Sequence, residues 1–427
     1  MTEHGMSATG QRSVWMVAMI ALLGAIGYVA WRPPSQPSPA STPYAPTAVS
    51  NVNVPAVPDN PFVPSNPARI IPDGAGDWAM EGLNPARTRA VETPIAPPLD
   101  QQRVVAAASF EEGVSPPVIV RGLMLLETKE TLSAIDLHTG RQRWAYRQKG
   151  AYISPAVAGD IVYFRAEQAN QGQLVALELS SGRQRWVFTP KRLSSSTNSY
   201  FGGHLTSPVV VDGIVYVGAG KELYALDAVT GKVRWEFSAQ DFVTSSAAVA
   251  DGRVFVSDFS YFYAIDQYTG ALIWSYPAYS AVYFSSVATG DMVLISSGQS
   301  MIALDAGDGT KRWEKNIPGA SLIPAGAQGD IVFVKTTNEL FALDRTSGRE
   351  LWSFRDVNYV SLPALTRQYV FVINGMGASA TVEAIDITTG ASIWSQPVPR
   401  LATTAPVIAG RAIYVRTTDG RVIELLG

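Results

Sequence analysis

From Arg103 onward the chain runs in short apolar stretches, alternating or continuous, broken every few residues by Gly, Asp, Asn and Thr. The stretch 207–237, SPVVVDGIVYVGAGKELYALDAVTGKVRWEF, holds four such runs, separated by turn residues at DG, GAGKE and TG. Runs this short, with turn chemistry at each junction, predict β-strands joined as hairpins. The stretch therefore reads as one four-stranded antiparallel sheet. Its second half recurs as AIDLHTGRQRW from Ala134, ALELSSGRQRW from Ala176, ALDAVTGKVRW from Ala225, AIDQYTGALIW from Ala264, ALDAGDGTKRW from Ala303, ALDRTSGRELW from Ala342 and AIDITTGASIW from Ala384. The glycines of these copies are spaced by 42, 49, 39, 39, 39 and 42 residues. A period of this length, with one sheet per repeat, predicts blades set radially around an axis, an arrangement that leaves only short protected edges.

After the seventh copy, TTAPVIAGRAIYVRTTDGRVIELLG supplies three strands without a fourth. The candidate for the missing strand is RVVAAASF, 103–110, ahead of the first blade. Pairing the two predicts an all-β, eight-bladed β-propeller over 103–427, closed by a clasp of both ends, with 74–102 as a lead-in segment. Within the motif, Asp ends one strand and Gly opens the next. A short carboxylate there can accept turn N–H groups, and Gly supplies the positive φ of a tight hairpin. Trp144, Trp186, Trp235, Trp274, Trp313, Trp352 and Trp394 are each expected to lay an indole against a neighbouring blade. Seven interchangeable copies point to architecture, because catalysis needs one constellation.

Ahead of the repeats the pattern changes twice. Residues 13–31, SVWMVAMIALLGAIGYVAW, carry no charge and would span roughly 28 Å as a helix, close to a bilayer core. Trp15 and Trp31 fall near the two ends and Arg12 and Arg32 bracket them, so the segment is expected to be a transmembrane signal-anchor following a short tail, 1–12. A cleaved signal peptide fits less well, since bulky Tyr28 stands three residues before the best small-residue site, after Ala30. The stretch 32–73 is Pro-rich, with twelve prolines between Pro33 and Pro72. It reads as a disordered or extended stalk that could reach about 120 Å. Together these predict a single-pass protein of the cell membrane with its propeller on the extracytoplasmic side.

Composition narrows the chemistry. A net charge of -3 and only 16% charged residues leave no basic footprint for nucleic acid. The absence of Cys removes disulfides, thiolate nucleophiles and thiolate metal sites. Only His4, His138 and His204 could serve a histidine metal site, and His138 lies in a repeat turn where other copies have Val229 or Tyr268. No catalytic, cofactor-binding or metal-binding residues are assigned. The residues ending each second strand, Glu127, Arg165, Gly218, Ser257, Ser296, Lys335, Ile373 and Arg416, show no ligand symmetry and are expected to be scattered solvated charges and small groups.

The repeated motif resembles the tryptophan-docking motif of pyrroloquinoline quinone (PQQ)-like propellers, over about 78–427, and DWAMEGLNPARTR, 77–89, resembles the segment many of them carry before the first blade. The resemblance implies two classes of activity. Quinoprotein dehydrogenases would imply PQQ, commonly with calcium, an adjacent-cysteine disulfide and an Asp base; a chain without Cys departs from that pattern. The BamB-like non-enzymatic branch would imply a scaffold that assists assembly of outer-membrane proteins, although its acylated Cys is also missing here. The reading is a non-catalytic scaffold for other envelope or membrane proteins. Its contacts are expected in the loops that follow each Trp, where aromatic anchors collect: Tyr279, Tyr283, Phe284, Tyr359, and the long loop 189–208 with Lys191, Arg192, Tyr200, Phe201 and His204.

Overall fold

The computed structural model describes residues 77–107, 115–127, 131–147, 154–168, 171–191, 206–278, 284–356 and 358–427; the expected membrane helix and stalk lie outside these. Among the described residues no helix is long and apolar enough to cross a membrane. Their thirty-two strands form eight four-stranded antiparallel sheets, an eight-bladed propeller. Blades 1 to 7 cover 118–147, 156–188, 209–238, 248–277, 287–316, 323–355 and 364–397, each a simple meander. Blade 8 combines Val407–Ala409, Ala412–Arg416 and Arg421–Leu426 with an outer strand, Gln101–Ala107, from ahead of blade 1. The clasp expected from 103–110 is therefore present, and its strand begins two residues earlier.

Burial along each strand follows from this geometry. Blades pack face to face, so a second strand such as Ile214–Ala219 is buried throughout, while an outer strand such as Val233–Ser238 alternates and turns Trp235 inward. A bulge recurs beside each Trp. In blade 3, Ala225 pairs with Trp235 but Leu226 pairs with Val233, leaving Arg234 as the extra residue. Because antiparallel meanders put the first and third turns at one end, each blade presents its motif turn on one face of the ring and its inter-blade loops on the other.

The lead-in segment runs around the axis near the turn face. Trp78 exchanges backbone hydrogen bonds of 2.7 and 3.0 Å with Ile119 in the first strand of blade 1. Further on, the amides of Val157, Val249, Ala288, Ala327 and Leu365 donate to Ala79, Pro85, Ala86, Thr88 and Arg89, at 2.8 to 3.0 Å. These are the first strands of blades 2, 4, 5, 6 and 7. Blade 3 joins through Ser207, whose hydroxyl donates to Glu81 at 2.7 Å. The segment thus touches seven blades in chain order before it supplies the outer strand of the eighth.

Candidate functional site

The motif residues hold one another and the next blade. In blade 3, Asp227 accepts from the Thr230 amide and hydroxyl, both at 2.8 Å, and pairs with Arg234 at 2.7 Å. In blade 1, Arg143 and Thr139 hold the Asp136 carboxyl well below the usual range. The indole N–H of Trp144, Trp186, Trp235, Trp274, Trp313 and Trp352 donates, at 2.7 to 3.1 Å, to a carbonyl in the motif turn of the following blade. Each ring lies against the glycine of that turn so closely that an added Cβ would fall 2.6 to 2.8 Å from an indole carbon. Trp394 differs: it donates to the Asp100 carboxylate at 3.2 Å, because blade 8 has no continuous motif turn. Blade 8 has no Trp of its own either. Arg103 stands opposite Glu424 in the register where Trp235 stands opposite Ala225, and the two form an ion pair at 2.7 Å.

The axis holds a second group of polar residues. Arg87 and Glu81 pair at 3.2 Å, Arg89 donates through Nε to the Pro363 carbonyl at 2.6 Å, and its guanidinium lies 5.5 Å from the Trp78 ring centroid. Burial pulls Arg89 down to about 10, with Glu81 opposing. Burial alone would raise Glu81, but Arg87 and Ser207 hold it below the usual range. The charges at the second-strand ends differ from expectation: Glu127, Arg165, Lys335 and Arg416 are all buried. Blades converge toward the axis there, and neighbouring chain covers them. Arg416 donates to the Ser115 carbonyl at 2.7 Å, and burial lowers it to about 10. Lys335 donates to the Thr336 carbonyl at 2.6 Å, lies 5.2 Å from the Tyr359 ring centroid, and is pushed down to about 8 by burial.

These groups do not fit a calcium-dependent quinone cofactor. Such a cofactor needs several carboxylates gathered on one ion; among the described residues no three carboxylates or histidines gather in that way, and Asp258 and Glu81 are already engaged. Asp258 accepts from the amides of Asp241, Ser260 and Tyr261 and from the Tyr263 hydroxyl, all at 2.6 to 3.0 Å. Glu81 is held by Arg87 and Ser207.

Of the expected contact residues, Arg192, Tyr200, Phe201, His204, Tyr279 and Tyr283 lie outside the described residues. Lys191 is exposed and pairs with Glu236 on the outer strand of blade 3 at 2.6 Å. Phe284 is half-buried. Tyr359 donates to the Thr403 carbonyl at 2.6 Å, joining two inter-blade loops, and burial pushes it up to about 12. Of the three described members of this group, Tyr359 is engaged within the fold.

A different surface stands out on the rim. Val229, Val233, Tyr268, Leu272 and Ile273, on the adjacent blades 3 and 4, are 42 to 65% exposed. At the position of Val229 and Tyr268 the other copies carry His138, Ser180, Gly307, Thr346 and Thr388. At that of Val233 and Leu272 they carry Gln142, Gln184, Lys311, Glu350 and Ser392. A comparison of the copies with one another, position by position, would have found this stripe.

Eight blades, the repeated Trp docking and the clasp define a PQQ-like propeller. The family described as outer membrane protein assembly factor BamB matches residues 100–223, 187–321 and 338–426. The chain belongs to that family. BamB from Moraxella catarrhalis superposes with a TM-score of 0.58 at 17% identity, over 77% of this chain and 100% of that one. A europium-containing methanol dehydrogenase gives 0.61 at 14% identity, over 81% and 90%, and the quinohemoprotein alcohol dehydrogenase from Comamonas testosteroni 0.62 at 16%, over 82% and 80%. Likeness at these identities carries the fold alone. No curated protein matched the chain in sequence.

Proposed function

We propose that the protein is a membrane-anchored, extracytoplasmic propeller that acts as a non-catalytic scaffold for other proteins of the cell envelope. The observation that carries this reading is the apolar stripe on blades 3 and 4. Single exposed apolar residues are ordinary, but five on neighbouring blades, four of them at positions where the other copies carry no apolar side chain, form a patch of the kind that marks protein contact. Tyr268 lies beside Asp212 of blade 3, at the seam between the two blades that carry the stripe. The anchor is residues 13–31 and the stalk 32–73, which would let the propeller reach partners at a distance from the membrane. Within this reading, assistance to outer-membrane protein assembly is the narrower role that the family's description supports.

A photo-cross-linking residue at Leu272 in intact cells tests the scaffold. Discrete protein adducts are expected there and not at Lys311, the equivalent position of blade 5; equal labelling at both sites would count against the stripe. Reconstitution with PQQ and calcium, followed by dye-linked alcohol oxidation, tests the enzymatic rival. Sustained turnover would overturn the non-catalytic reading.

A further inference from the structure

Blade 1 carries a complete motif turn. Asp136 accepts from the Thr139 amide at 2.8 Å and hydroxyl at 3.0 Å, the Gly140 amide donates to the Asp136 carbonyl at 2.8 Å, and Leu137 donates to Gly122 at 2.9 Å, as Ala228 does to Gly213 in blade 3. In six other seams an indole rests on such a turn. Here the preceding blade offers Arg103, which turns back to Glu424 in its own sheet and leaves its side chain 53% exposed. The consequence is an open recess of about 500 Å³, walled by Arg103, Arg121, Leu123, Leu137, His138 and Arg143. Above Gly140 itself the Val105 carbonyl stands on the side where the other motif glycines meet an indole, so the recess opens beside the glycine, toward Leu137 and His138. Among the described residues no donor reaches the Leu137 carbonyl, the counterpart of those that receive an indole N–H elsewhere.

The charges decide what such a recess can hold. Arg103 is paired with Glu424 at 2.7 Å, Arg121 with Asp160 at 2.7 Å and Arg143 with Asp136 at 2.6 Å, so there is little net field to attract an anion. Arg103 and Arg143, whose guanidinium edges are taken by carboxylates, still offer their faces, and such faces stack on aromatic rings. Leu123, Leu137 with its carbonyl, His138, Ser180 and the arginine-paired Asp136 complete surroundings that suit a flat ring bearing an N–H.

We propose that this recess docks a tryptophan side chain carried on an extended segment of a partner protein, repeating between molecules the indole-to-carbonyl contact that the fold makes six times within itself. The proposal rests on the scaffold reading and names the chemistry of one partner contact.

The test uses full-length protein in detergent and the peptide acetyl-Gly-Ser-Trp-Ser-Gly-amide with 5-fluorotryptophan, followed by fluorine NMR. Saturable broadening is expected, and none from the peptide with Ser in place of Trp. Affinity should fall at least about tenfold in Arg103→Trp/Glu424→Ala, which installs the Ala–Trp pair of the other blades. It should fall equally in Leu123→Arg, which copies Arg253 at the same position of blade 4. No saturable binding by the wild type, undiminished binding by either variant, or equal binding of free N-acetyltryptophanamide would overturn the assignment. Adducts at Leu272 that persist when the peptide fails to bind would remove the recess alone; loss of those adducts with peptide binding intact would remove the stripe alone.

Discussion

Gly270→Ala and Gly140→Ala are the same change at the same motif position in two blades, and they should cost different amounts. Both glycines have left-handed φ, +75° and +68°, so each alanine carries about 1–2 kcal/mol of backbone cost. At Gly270 the new methyl would lie 2.8 Å from Cδ2 and 2.9 Å from Cε3 of Trp235. The indole cannot retreat without stretching its 3.0 Å hydrogen bond to the Gln267 carbonyl. Overpacking adds about 1–3 kcal/mol and the weakened bond about 1 more. At Gly140 the nearest atom is the Val105 carbonyl oxygen at 3.3 Å, and no indole is present to displace. Expected losses are therefore about 3–6 kcal/mol for Gly270→Ala and about 1–2 for Gly140→Ala. Urea denaturation followed by far-ultraviolet circular dichroism reads both from the midpoint at unchanged slope. Losses equal to within about 0.5 kcal/mol would show that the glycine is required by the turn alone and that the indole contributes nothing to its identity.

Two further outcomes follow from the axis. Trp78 is 1% exposed and lies outside the repeats, yet Trp78→Ala should cost about 3–5 kcal/mol, as a core indole does; a loss below about 1 kcal/mol in the same assay would mean that the lead-in segment is an ornament of the ring. Lys335 gives a pH signature. Its folded-state value of about 8 lies below the ordinary 10.5, so between those values the unfolded chain binds more protons and stability rises with pH. Lys335→Met should therefore be more stable than the wild type at neutral pH, by up to about 3 kcal/mol, with the advantage shrinking as pH approaches 10. A difference that does not change with pH would place the charge in contact with solvent.

The parts of the fold that were legible are those that repeat. Asp, Gly and Trp at fixed offsets in seven copies disclose a turn and a packing residue, and three unpaired strands at 407–426 disclose that a fourth comes from elsewhere. Residues that occur once were not legible. Arg103 occupies the register position of a Trp, but nothing in RVVAAASF aligns it with the motif until the partner strand is known, since the bulge in this strand falls at Val105 rather than beside the docking position. The path of 78–91 around the axis has no period, because successive blades are reached with different numbers of residues between them. Lys335 and Arg416 end strands, where charge ordinarily meets water; only the convergence of blades toward the axis, a property of the closed ring, buries them. For the contact surface, exposed apolar residues were hidden inside the motif, where the eye reads what the copies share and passes over where two of them differ.

The lead-in segment also determines how the ring bears force. Tension arriving at Asp77 loads the Trp78–Ile119 pair first, then the contact at Val157, then the Glu81–Ser207 hydrogen bond, then the contacts at Val249, Ala288, Ala327 and Leu365. These bonds stand in series, so they yield one blade at a time, as in unzipping. Beyond Leu365 the Glu92–Arg367 ion pair follows, and only then does the pull reach strand Gln101–Ala107 and its pairs with Arg421–Leu426. The clasp that closes the ring is mechanically the last element to feel a pull at Asp77, and the axial contacts ahead of it act as a train of sacrificial links.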